Sequence, residues 1–149
     1  MTKYHSNGWG ALDGAMIFCP NQTQLPITRE QLATASELRW PGEVSVYFTE
    51  GSSTAVAIDV RPESECSFML DLYEGGQMIG MDATPEQSVR HAAWVRSLMP
   101  EDAPRIVVSD RGFQIHAEMA YGVTPEQIAA TLIDHVEGWD TDDPDFSAW

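Results

Sequence analysis

Four side chains have the types that acid–base chemistry or a divalent cation would need: Asp59, Asp71, His116 and Glu118. Carboxylates gathered at one place repel, which raises the pKa of one of them or recruits a cation that neutralises both. Each of the four lies in a stretch where apolar and polar residues alternate, so strands there would present all four on the polar side. Ordinary solvated sheet faces show the same alternation, and the sequence does not say whether the strands concerned are neighbours. No self-sufficient catalytic motif accompanies them: there is no G-x-S-x-G, no Gly-rich loop before Lys-Ser or Lys-Thr, no H-E-x-x-H and no G-x-G-x-x-G after a strand. His5, His91, His116 and His135 are scattered. Cys19 and Cys66 are too few and too far apart for a disulfide framework or a metal knuckle, and both read as buried small hydrophobes. The expectation is a protein that is not an enzyme and uses no cofactor and no metal. A metal-dependent enzyme built on the sheet-face carboxylates is kept as the second alternative.

The elements that would position these residues centre on Cys66 to Gln87, where a strand carrying Phe68, Leu70 and Leu72 meets a Gly75-Gly76 turn, a returning strand and a helix start. That helix start recurs. Thr28, Thr84 and Thr124 are each followed three residues later by Gln, the reciprocal arrangement that satisfies free N–H groups at a helix N-terminus. Pro85 and Pro125 occupy the first helical position, where a missing N–H costs nothing, and Glu follows in the turn that favours negative charge. The first helix should run to about Arg39 and stop at Trp40-Pro41-Gly42. The second carries Val89, Ala92, Val95 and Leu98 or Met99 on one face; the third carries Ile128, Leu132, Val136 and Trp139.

Period-2 stretches supply the surface those stripes cover. Residues 43 to 49 place Val44, Val46 and Phe48 on one side; Val56, Ile58 and Val60 follow after the turn at 50 to 53; residues 105 to 109 and 113 to 119 form a further hairpin, with Phe113, Ile115, Ala117 and Met119 inward. Ala15 to Cys19, ended by Pro20, reads as a brief edge strand. The predicted fold is α+β: a mainly antiparallel sheet of about five to six strands with three helices packed largely on one face. A chain of 149 residues fits one such domain, here residues 15–139, preceded by a loosely ordered arm (1–14) that Trp9 could pin and followed by an acidic-aromatic tail (140–149). The face away from the helices would display Ser45, Tyr47, Thr49, Asp59, Met69, Asp71, Tyr73, Gln114, His116 and Glu118.

This order of elements, with the Pro-capped helix following the strand turn at 71–87 and V-T-P-E-Q-I opening the last helix, resembles the type III secretion chaperone-like fold, including the YbjN group of bacterial proteins. The resemblance covers about residues 28–138. It implies protein binding or dimer formation and assigns no catalytic residue.

Charge narrows the partners. With 23 Asp and Glu against 8 Lys and Arg the formal net charge is −15, which disfavours nucleic acid and anionic membrane and makes a basic protein the natural counterpart. The beginning of the chain has no apolar signal region and no run approaches the roughly 18 apolar residues of a membrane span, so the expected location is cytoplasmic. The expected function is a non-catalytic, chaperone-like or adaptor module that binds another protein through the open sheet face or forms a homodimer, using Tyr47, Asp59, Met69, Asp71, Tyr73, His116 and Glu118. The first alternative is an acidic inhibitor or toxin-immunity protein masking a basic partner. The stretch from Glu137 to Trp149, rich in acids and aromatics, has the composition of a segment that orders on binding or folds back on its own domain.

Overall fold

The three Thr-Gln pairs all close as capping boxes. In the computed structural model, which describes residues 4–21 and 24–135, the hydroxyls of Thr28, Thr84 and Thr124 accept from the N–H groups of Gln31, Gln87 and Gln127, and each Gln side chain accepts from its cap's own N–H. They start helices α1 (Arg29–Arg39), α2 (Pro85–Ser97) and α3 (Pro125–Thr131). None of the described helices is long and apolar enough to cross a membrane. The third helix is shorter than its apolar stripe predicts. Leu132 turns extended (φ −63, ψ 125) and is fully buried, and the next two residues pair with the sheet instead of continuing the helix. Pairing with a neighbouring strand outweighs the helical period there. Val136 and Trp139, like the tail, lie outside the described residues.

The strands are β1 (Ala15–Phe18), β2 (Val44–Phe48), β3 (Thr54–Val60), β4 (Phe68–Tyr73), β5 (Met78–Asp82), β6 (Val107–Ser109), β7 (Ile115–Glu118) and β8 (Ile133–Asp134). Among the described residues they form one antiparallel sheet of eight strands, not five to six, in the order β2-β3-β4-β5-β1-β6-β7-β8. The largest correction concerns β1. It is no edge strand: it lies between β5 and β6 and joins the two hairpin systems. Pro20 does not forbid this, because it falls beyond the last paired residue, Phe18. The continuous apolar run Ala-Met-Ile-Phe is what a strand covered on both faces requires.

One face of the sheet carries the core. Val56, Ile58 and Val60 stand beside Leu72, Leu70 and Phe68, which continue to Ile79 and Met81, then Ala15 and Ile17, then Val108 and Ala117. Leu32 of α1, Val89, Ala92 and Val95 of α2, and Ile128 of α3 close over them. The segment before β1 joins this core: Gly8–Gly10 form a 3-10 turn, and Leu12 is 0% exposed, whereas Trp9 is 41% exposed and is not the anchor. Gly8 lies so close to α3 that a Cβ there would overlap the Ala129 carbonyl.

Two further expectations change. Cys19 is buried, but Cys66 is exposed, because it sits in the loop before β4 rather than in the strand. Phe113 does not point inward: it occupies the turn with φ 56, outside the alternation of β7, and its ring meets Phe18 edge-on at 5.7 Å on the face away from the helices.

Candidate partner-binding face

Alternation places all seven candidate residues on the face opposite the helices, and strand order then divides them. One row runs across the sheet as Tyr47, Ala57, Asp71, Gly80, Met16, Ser109 and His116; the next begins Ser45, Asp59, Met69, Asp82. Tyr47, Asp59, Met69, Asp71 and Tyr73 therefore gather over β2, β3 and β4. His116 and Glu118 do not join them, because β5, β1 and β6 intervene, a separation of roughly 19 Å at the usual strand spacing. The four-residue acid–base group read from the sequence is not assembled. Among the described residues no set of three His, Cys, Asp or Glu side chains is grouped so as to hold a metal ion.

The two halves of this face differ in cover. Over β1, β6 and β7 it is closed: Phe18, Val107, Ser109 and His116 are buried. His116 Nδ1 lies 2.9 Å from His135 Nε2, with the rings stacked, and Glu118 is paired with Arg105. Over β2 to β4 it is open, with Tyr47 56% and Met69 37% exposed.

At the centre of the open half is Asp71, half-buried, with the two small residues Ala57 and Gly80 directly beside it on the neighbouring strands. Tyr73 lies down over Gly80: a Cβ added there would stand 3.0 Å from the tyrosine hydroxyl oxygen. Burial, with the nearby Asp82 carboxylate adding to it, raises the Asp71 pKa above the ordinary aspartate value. The other acids of this half-face have cation partners. Asp59 accepts from Arg61 at 3.0 Å, and Asp82 from Arg111 at 2.9 Å. Asp71 has no cation partner among the described residues. Beyond it, Asp13, Asp59, Met69 and Asp82 line an open cleft with Arg61. Asp82 and Gly80 are the members of this site that the sequence reading omitted; alternation along Met78, Gly80 and Asp82 carries the signal.

A second polar cluster has a different character. His91, only 1% exposed, is stacked on Phe68 (4.3 Å between ring centres) and edge-on to Trp40, with its Nε2 2.8 Å from Glu65. Burial holds His91 below the ordinary imidazole pKa, against the pull of Glu65. Burial pushes Glu65 upward, but hydrogen bonds from His91 and Gln87 and the charge of Arg90 bring it below its usual value. The two directions agree on one state, a neutral ring donating Nε2–H to a carboxylate. Gln87 also donates to the Cys66 carbonyl, so α2 grips the loop before β4 at two points. This is an internal clasp closed to a substrate, and neither Glu65 nor Gln87 showed it in the sequence, since 22 positions separate them. Compared with protein-family models, with curated proteins and with solved structures, the chain finds no match.

Proposed function

We propose that the chain is a non-catalytic protein-binding module, chaperone-like or adaptor in character, whose open half-face over β2, β3 and β4 receives a basic segment of another protein. The observation that carries this is Asp71, a half-buried carboxylate without a cation partner among the described residues, set among exposed Tyr47, Met69 and the reclining Tyr73. A carboxylate in that position weakens the free chain, because burial opposes its charge. A lysine or arginine brought over it would supply the missing partner, while Met69 and the tyrosines, types enriched in interfaces, would cover the apolar stem. The formal charge of −15 would steer such a partner from a distance. An acidic inhibitor that masks a basic active site would use the same surface, and the partner's identity separates the two.

Affinity capture with the wild-type chain and with the Tyr47→Ala/Tyr73→Ala double variant, both checked for folding, tests the reading. A basic protein held by the wild type, released by salt and lost from the variant supports it. Basic partners retained equally by both would overturn it.

A further inference from the structure

We propose that the free edge of the sheet at β2 is a self-pairing surface, on which a second copy of this chain docks its own β2 antiparallel to form one continuous sheet across a two-fold axis. The two edges of the sheet are unlike. At the β8 edge a strand of two residues is covered by Tyr4, which bridges to Ile133, while the His5 N–H bonds the Leu132 carbonyl. The β2 edge is five residues long and carries none of the usual protections: Val-Ser-Val-Tyr-Phe has no charge and no proline, and its ladder to β3 has no bulge along Val44–Phe48.

Which backbone groups face outward follows from the ladder. Arg61 N–H bonds the Glu43 carbonyl and Thr49 N–H bonds the Ala55 carbonyl, so residues 43, 45, 47 and 49 bond inward to β3. Val44, Val46 and Phe48 therefore turn both N–H and C=O to the open side, and among the described residues they make no other backbone bond. Because these three are symmetric about Val46, a two-fold axis there sets Val46 against its own copy and Val44 against Phe48 of the copy. Every outward group then finds an acceptor or donor. Ser45 faces Tyr47 of the copy, and Glu43 faces Thr49, so no like charges are opposed along the seam.

The same register argues for a second copy over a foreign strand. It sets Glu50 opposite Gly42 of the copy, three residues from Arg39, whose guanidinium lies over Trp40 and Trp94 at the end of α1. Glu50, 90% exposed in its side chain, has a contact of 4.0 Å with Arg29 of its own chain, at the outer limit of an ion pair, and Arg39 is exposed, so each copy offers an acid where the other offers a base, twice by symmetry.

Sedimentation of the full chain over a wide concentration range should show a dimer that dissociates on dilution. Val46→Pro removes an outward N–H while leaving the bonds to β3, and should be monomeric. Glu50→Arg should raise the dissociation constant at least tenfold, and Arg39→Glu added to it should restore pairing. Hydrogen exchange reads the seam directly and does not depend on any variant folding: the Val44, Val46 and Phe48 amides should gain protection as concentration rises, while Ser45 and Tyr47 stay protected throughout. A chain that remains monomeric, a dimer whose outward amides still exchange freely, or amides that become protected only when a different protein is added would each overturn the proposal.

Discussion

At the scale of single residues, Asp71 shows how a site can be costly to its own fold. Its folded pKa lies above the unfolded value, so the folded chain holds a proton more tightly. That contribution is complete below the ordinary aspartate pKa and is lost as pH rises through the folded pKa. Asp71→Asn should therefore raise the melting temperature at pH 7, with the gain vanishing near pH 3, and should weaken capture of a basic partner. Thermal melts at the two pH values and one binding titration check both signs; a destabilised variant at pH 7 would mean that an unseen cation serves Asp71. His91 and Glu65 work in the other direction. Both are lowered, so their contribution is present at neutral pH and is lost as pH falls, first through the imidazole range and then through that of the carboxylate. Glu65→Ala would leave a buried N–H without an acceptor, which costs about 1–3 kcal/mol by chemical denaturation at pH 7. The alternation around Asp71 was legible in the sequence, and those residues assigned to the second face that fall within strands, such as Tyr47, Asp59, Asp71 and His116, lie on it. The Glu65–His91 contact was not legible, because no period relates a loop residue to a helix residue packed across a core.

Elements were legible where local chemistry decides them. Each capping box needs four consecutive residues and no tertiary contact, and all three formed. Thr84→Ala and Thr124→Ala should each cost about 1 kcal/mol in a thermal melt. The short α3 has little else to hold its first turn, so Thr124→Ala should also speed amide exchange there. What the sequence could not reveal is decided by distant pairing. Ala15–Phe18 became a central strand because β5 and β6 come to it from positions 60 or more residues later, and Leu132 left its helix because Ile133 found His116. Strand number and order follow from those encounters. The core prediction belongs to this scale: Leu70 and Leu132 are both 0% exposed, so Leu→Ala at either should cost about 2–5 kcal/mol in urea unfolding. Asp71→Ala, one residue away on the other face, should not.

At the scale of the whole molecule, charge lets the two proposed associations be told apart by one variable. Two copies that each carry a formal charge of −15 repel at long range, and at about 0.15 M ionic strength the screening length is roughly 8 Å. The proposed β2 seam is uncharged from Val44 to Thr49, with Glu43, Glu50 and Arg39 at its ends, so added salt removes more repulsion between the copies than attraction. Self-association should tighten between 50 and 500 mM sodium chloride. A basic partner on the Asp71 face is drawn by that same field, so its capture should weaken over the same range, mostly through a slower association rate. Opposite slopes in sedimentation and in partner titration, measured on one preparation, are the expected result. The surfaces also meet at β2, where Tyr47 belongs to the partner face by its side chain while the Val46 and Phe48 backbone belongs to the seam. In a paired sheet the two partner faces would lie side by side on one surface, and a partner with two basic segments would bind the dimer more tightly than the Val46→Pro monomer. Equal affinity for both would mean that the seam and the face act independently.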